Sequence, residues 1–189
     1  MKRFNILLAT AAFLGCVGIS GAAPLEVDYQ HSKVNVDVHA TIDSFVGQLD
    51  KYTATVDCEP STNLPAKAAV SFDFKDLKTG KTDRDAEMLK WLDYSNNPTA
   101  TFALEGWKQD GTTNLALGDL TIHGVKKAIQ MPVTIQHNGA DWDIAGEADF
   151  DYRDFNLPKI RKMLMLVVNP HLKVTFHLVG KIPATVAAK

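Results

Sequence analysis

The 189-residue sequence predicts an all-β domain carrying one short helix, and three observations support this. Apolar and polar residues alternate with period 2 in about eight segments, most of them joined by short turns, which favours antiparallel pairing. The apolar residues of each segment keep to one face, as in a sheet that buries only one side. A single window, Thr82 to Ser95, changes to helical spacing.

The first residues are not expected to join the fold. Lys2 and Arg3 precede an apolar stretch from Phe4 to Ile19, followed by Ser20, Gly21, Ala22 and Ala23. This is the layout of a secretory signal peptide, with Ser20 and Ala22 in the small-residue sites and a cut between Ala22 and Ala23. A cut after Ala23 is less favourable because Pro24 follows it. Cys16, after Phe13-Leu14-Gly15, loosely resembles a lipoprotein processing site. Phe13 fits that pattern poorly and apolar residues continue beyond Cys16, so it is read as a cysteine inside a discarded signal. The expected organisation is a signal over residues 1–22 and a single domain over 23–189. No later apolar run reaches the ~18 residues that span a bilayer, so a released chain is expected.

The elements of the domain follow in order. Val34, Val36, Val38 and Ala40 share one strand face, with Asn35, Asp37 and His39 opposite. Tyr52, Ala54 and Val56 form a second such face, Val70, Phe72 and Phe74 a third, and Phe102 and Leu104 a fourth. In the fifth segment Leu115 and Leu117 stand on odd positions, whereas Leu120 and Ile122 stand on even ones. That parity change predicts a β-bulge at Gly118-Asp119. Ile129, Met131, Val133 and Ile135 follow. Pro132 on their opposite face cannot donate to a ladder and predicts an edge or a local break. Asn138-Gly139 reads as a hairpin turn leading into Trp142, Ile144, Ala148 and Phe150. The last strand sets Leu172, Val174, Phe176 and Leu178 against Lys173, Thr175, His177 and Val179.

Within the helical window, Met88, Trp91, Leu92 and Ser95 fall at i, i+3, i+4 and i+7, and Asp83 and Asp85 suit the first-turn amides. Residues 156–169 break the strand pattern and leave a short helix and an apolar loop both open. About eight strands fit either a closed barrel or a two-sheet sandwich; a barrel of that size is filled by side chains or holds one small ligand.

Composition excludes some functions. Without residues 1–22 the chain has 167 residues, and its 18 basic residues face 22 acidic ones, a net charge of −4. No basic field attracts nucleic acid. One cysteine, Cys58, remains after the signal and cannot form an internal disulfide; it is either buried and inert or a handle for a partner.

A search for chemistry finds no constellation. His31, His39, His123, His137, His171 and His177 include no His-x-x-x-His pair and no zinc spacing with cysteine. No Gly-x-Ser-x-Gly elbow, phosphate loop or dinucleotide fingerprint is present. Asp149, Asp151 and Asp154 lack the glycine and terminal glutamate of a calcium loop. The expectation is therefore no metal and no catalysis. Arg84-Asp85 ahead of the helix is either a surface or capping pair or a head-group contact. The aromatic and methionine side chains of inward parity fit a packed core as well as a ligand site.

The segment Gly118-Asp119-Leu120-Thr121-Ile122-His123-Gly124-Val125 resembles the YceI family of periplasmic, lipocalin-like proteins. His31-Ser32-x-Val34, His39 followed by Val46-Gly47, Arg84-Asp85, and Pro98-x-Ala100-x-Phe102 match in the same order over most of the domain. The resemblance implies an antiparallel barrel of about eight strands around an apolar tunnel, located in the periplasm. It implies storage or transport of an amphiphilic lipid, with a bound polyisoprenoid or isoprenoid quinone and no other cofactor. The expected lining is Val36, Val38, Val56, Phe72, Phe74, Met88, Trp91, Leu92, Phe102, Leu104, Leu120, Ile122, Met131, Val133, Phe150 and Phe176, with Arg84 and His123 as head-group contacts. The helix or the stretch Lys159–Val168 would serve as a lid or touch a membrane transiently, and a homodimer is left open. Two rival readings are a stress-response protein acting through a protein partner and a lipid-modifying enzyme with His39 or His123 as general base.

Overall fold

A computed structural model of the chain describes residues 21–41, 43–162 and 166–184. The expected signal thus lies almost wholly outside the described residues. Among the described residues the fold is built from nine long strands: β1 (Lys33–Val38), β2 (Phe45–Leu49), β3 (Thr53–Glu59), β4 (Leu64–Asp73), β5 (Thr99–Asp110), β6 (Thr113–Ile122), β7 (Val125–Asn138), β8 (Asp141–Asp151) and β9 (His171–Lys181). All their pairings are antiparallel, in the order β3-β4-β5-β6-β7-β8-β9-β1-β2.

Along that order β2 and β3 run in the same direction. They are separated in sequence only by a bend at Asp50 and Lys51. β2 pairs with β1, and β3 pairs with β4. Together they act as one broken stave, and the curled sheet is an eight-staved barrel of the expected class. Short ladders brace the break. Leu77–Lys78 pairs with β2, Ala23–Pro24 with β3, and Glu26–Val27 crosses to the end of β9.

Where the structure departs from the sequence reading, local packing explains it. β6 pairs with β7 in one unbroken register from Ile122↔Val125 to Asn114↔Val133, so β6 holds no bulge. The register shift lies in β5, between Leu104 and Gly106, and Glu105 is the extra residue. Ala116, Gly118, Leu120 and Ile122 therefore share the inner face. Leu115 and Leu117 lie opposite the exposed Pro132 and Gln130 on the outer one. Gly118 is what allows this. A Cβ there would come within 2.5 Å of the Phe102 ring and of the Ala103 carbonyl, so no leucine fits the inner position.

Pro132 does mark a local break, because the β7–β8 ladder stops at Val133↔Gly146. The hairpin turn lies one residue later than expected. Asn138 still pairs with Asp141, and Gly139 takes the positive φ (60°) of a two-residue turn.

Helix α1 (Thr82–Trp91) ends four residues before Ser95. Asp93 adopts the left-handed conformation (φ 48°). Its N–H donates to the Lys90 carbonyl and the Tyr94 N–H to that of Leu89, the bonds of a Schellman stop. The described residues of the 156–169 stretch form no helix. A 3₁₀ turn over Tyr152–Phe155 leads to an extended stretch and a small ladder of Arg161–Lys162 with Leu166–Val167. That excursion returns to the barrel where Val168 bridges Ala40 and Asn169 N–H donates to the His39 carbonyl.

One end of the barrel is packed shut by Leu25, Trp142, Leu178 and the fully buried Cys58. Burial, with the Asp57 charge adding to it, pushes the Cys58 thiol up to about 12. It is a core residue with no thiolate character at neutral pH.

Candidate functional site

Above that packed end the barrel encloses a cavity of about 980 Å³, at the upper end of the usual range for ligand sites. Period-2 alternation makes it, because each stave contributes its inward residues to one shared wall. Phe102 from β5 and Phe176 from β9 are seated on glycines. Their rings lie where Cβ atoms of Gly118 and Gly146 would stand, the latter 2.7 Å from the Phe176 ring. Two missing side chains thus fix two large rings against the wall.

The other end is covered by α1 and the excursion after β8. Trp91 of α1 donates its indole N–H to the Pro158 carbonyl (2.8 Å) and meets the Tyr152 ring edge-on at 5.1 Å. The Tyr152 hydroxyl accepts from Ile160 N–H (3.1 Å). Met88, Trp91, Leu92, Leu157 and Ile160 thereby roof the cavity. The charged residues that line it gather at this end: Asp43, Lys81, Asp83, Arg84, Glu87 and Lys159.

Arg84 is the most constrained of them, its side chain 22% exposed. Its Nε donates to Thr79 Oγ1 (3.1 Å) and a terminal nitrogen to the Thr79 carbonyl (3.3 Å). The guanidinium carbon sits 3.7 Å from the centroid of the Phe45 ring, a cation–π contact. Thr79 is held in turn by the Asp85 carboxylate, which accepts from its N–H (2.9 Å) and its hydroxyl (2.5 Å). Asp85 therefore orders the Arg84 site instead of capping the helix end through its own amides, and Lys81 makes no side-chain cap.

A family model described as the YceI-like domain matches residues 25–180. The chain belongs to the YceI family. Protein YceI of Escherichia coli O6:H1 is 26% identical over 168 residues, spanning 83% of this chain and 88% of that protein. The crystal structure of BcnA from Burkholderia cenocepacia superposes with a TM-score of 0.73 at 25% identity, over 82% of this chain and 100% of that one. A polyisoprenoid-binding domain from Saccharophagus degradans, implicated in plant cell wall breakdown, gives 0.64 at 16% identity, over 86% and 99%, and at that identity speaks to the fold alone.

Within this YceI fold, every aliphatic and aromatic residue expected from the sequence to line a site is on the wall of this cavity, from Val36 and Val38 of β1 to Phe176 of β9. Arg84 lies at its mouth. His123 is not among the lining residues. It and Gly124 occupy the β6–β7 turn, both at positive φ (51° and 70°), the backbone of a tight hairpin. His39 is exposed beside Ser44 and also stands off the wall, so the two histidines weighed as general bases do not meet at the cavity. Asp151 pairs with Arg153. Among the described residues no His, Cys, Asp or Glu group is arranged for a metal, and no helix is long and apolar enough to cross a membrane.

Sequence reasoning missed Trp107, Ile144, Ala148 and Leu157 as lining, along with the polar rim of Asp43, Lys81 and Glu87. Trp107 follows the Glu105 bulge, which turns an odd position inward opposite Ala116. Its signal was the Gly106 beside it. Asp43 carried none, since only the folded chain brings it to Arg84.

Proposed function

We propose that this protein binds an amphiphilic long-chain lipid, with its apolar chain inside the barrel and its polar head at the α1 end. The observation that carries the reading is the cavity itself: about 980 Å³, apolar along its wall, and among the described residues charged only at its mouth. A water occupies about 30 Å³ of liquid and a methylene is of similar size, so the space suits a chain of roughly thirty carbons. Each buried methylene contributes ~0.8 kcal/mol, offset in part by the cost of ordering the chain. The polyisoprenoid-binding domain from S. degradans shares this fold, which supports a polyisoprenoid or isoprenoid quinone as the ligand class.

On this reading the protein is a binder and carrier rather than an enzyme, a role supported by the apolar wall and the charged rim gathered at the α1 end. Arg84 holds the head group. Export by residues 1–22 places it in the periplasm, and Ala23, the first residue after the expected cut, is also the first in a ladder. Storage or transfer with transient contact at a membrane follows from a roof made of α1 and the excursion after β8.

The test is to purify the protein from its own host and identify co-purified lipid by mass spectrometry. A stoichiometric prenyl lipid is expected. A reproducibly empty protein that also takes up no polyprenyl lipid from micelles overturns the proposal.

A further inference from the structure

Resting on that lipid-binding reading, we infer that the mouth selects an uncharged, hydrogen-bond-accepting head group such as a quinone carbonyl or an alcohol, and that Asp43 excludes phosphorylated heads. The described residues lining the cavity include three carboxylates, Asp43, Asp83 and Glu87, and three cations, Lys81, Arg84 and Lys159. Among the described residues that line it, the mouth is balanced in charge.

Two features there would otherwise attract a phosphate: the Lys81–Arg84 pair and the N-terminus of α1. Both already face carboxylates of this chain. Asp43 Oδ2 lies 3.5 Å from Lys81 Nζ and 3.6 Å from Arg84, standing where a phosphate oxygen would bridge the two cations. Asp83 and Asp85 occupy the first turn of the helix.

What remains is directional. A guanidinium has five N–H donors, and two of the bonds given by Arg84 go to Thr79. Its guanidinium carbon is held 3.7 Å from the Phe45 ring centroid, and the group has donors left for a neutral oxygen at the mouth. The apolar tail supplies affinity whatever the head is, so the head group acts as a selector. Selection against an alternative by a like charge is a general means of specificity.

The experiment compares three probes with the same prenyl tail of about thirty carbons: a benzoquinone, the free prenol and the prenyl monophosphate. Each is titrated into the signal-free chain, its Asp43→Asn variant and its Asp43→Glu variant, with thermal unfolding recorded for all three proteins. Asp43 is 55% exposed, so folding is expected to be unaffected. The unaltered chain should prefer quinone and prenol over the monophosphate. Asp43→Asn should raise monophosphate affinity by about fivefold at low salt, the scale of an exposed charge pair, with the gain fading at high salt. Asp43→Glu should restore the preference.

Monophosphate binding as tight as quinone binding in the unaltered chain overturns the inference and leaves the lipid-binding reading standing. A preference that Asp43→Asn leaves unchanged overturns the role of Asp43. Failure of all three probes to bind overturns the underlying reading itself.

Discussion

Gly118 shows how much of this protein rests on a single absent side chain. The Phe102 ring lies in the space of its missing Cβ, and the Ala103 carbonyl is equally close. Gly118→Ala should force the ring and the β5–β6 ladder to shift, costing about 1–3 kcal/mol as overpacking does. The midpoint of chemical denaturation would report it, and an unchanged midpoint would mean the ring is not seated there. Asp151 makes a second case at this scale. The Arg153 guanidinium and its backbone N–H hold the Asp151 carboxyl at about 2, below the ordinary 3.8. A depressed carboxyl contributes stability above its ordinary value and loses it as pH falls through that value toward the folded one. Asp151→Asn should therefore lower the melting temperature at pH 7. The gap between variant and parent should begin to close below about pH 5 and vanish near pH 1; a gap that persists undiminished as pH falls from 5 to 1 would assign the effect to something other than this charge.

At the scale of elements, the end of α1 is set by a residue poorly suited to it. Asp93 takes the left-handed conformation that stops the helix, a conformation glycine adopts without penalty. Asp93→Gly should keep the stop and stabilise the domain by about 1 kcal/mol, read as a rise in melting temperature. A loss of stability would mean that the hydrogen bond between Asn96 and the Asp93 carboxylate outweighs the backbone strain. The same element shows why boundaries were hard to read. Met88, Trp91, Leu92 and Ser95 keep helical spacing to the end, yet spacing carries no φ, and the chain leaves the helix at Asp93. Strand parity was legible for the opposite reason. With period 2, one correctly assigned residue places its whole strand, which is why Val36 and Val38, or Met131 and Val133, were found on the wall. A bulge defeats that logic where it falls. The leucines of β6 suggested one at Gly118-Asp119, whereas it lies at Glu105 across the ladder, and Trp107 was missed in consequence.

At the scale of the whole molecule, alternation alone does not separate a hollow barrel from a filled one, since an inward valine reads the same against a lipid or a leucine. The distinction comes from sizes around the ring of staves. Small inward residues such as Ala100, Ala116 and Ala148 leave room that the aromatic residues do not fill. Of these, Ala116 is the most telling. It lies on the lower part of β6, opposite Met131 on one side and Trp107 on the other, below Leu120 and Ile122. A chain entering from the α1 end reaches it late, and beyond it lie Cys58, Leu25 and Trp142 of the packed end. If the cavity floor limits chain length, Ala116→Phe should shorten the longest tail accepted while leaving the mouth untouched. Competition with a series of prenols should then show tails of roughly thirty carbons losing at least tenfold in affinity and tails of roughly fifteen binding as before. Ala116 lines the cavity, so the added ring is aimed at its space, and circular dichroism checks that the variant remains folded. Equal losses for short and long tails would place the ligand elsewhere than along this axis. No loss for either would mean that the chain never reaches the floor, and that the length of the bound lipid is set at the mouth.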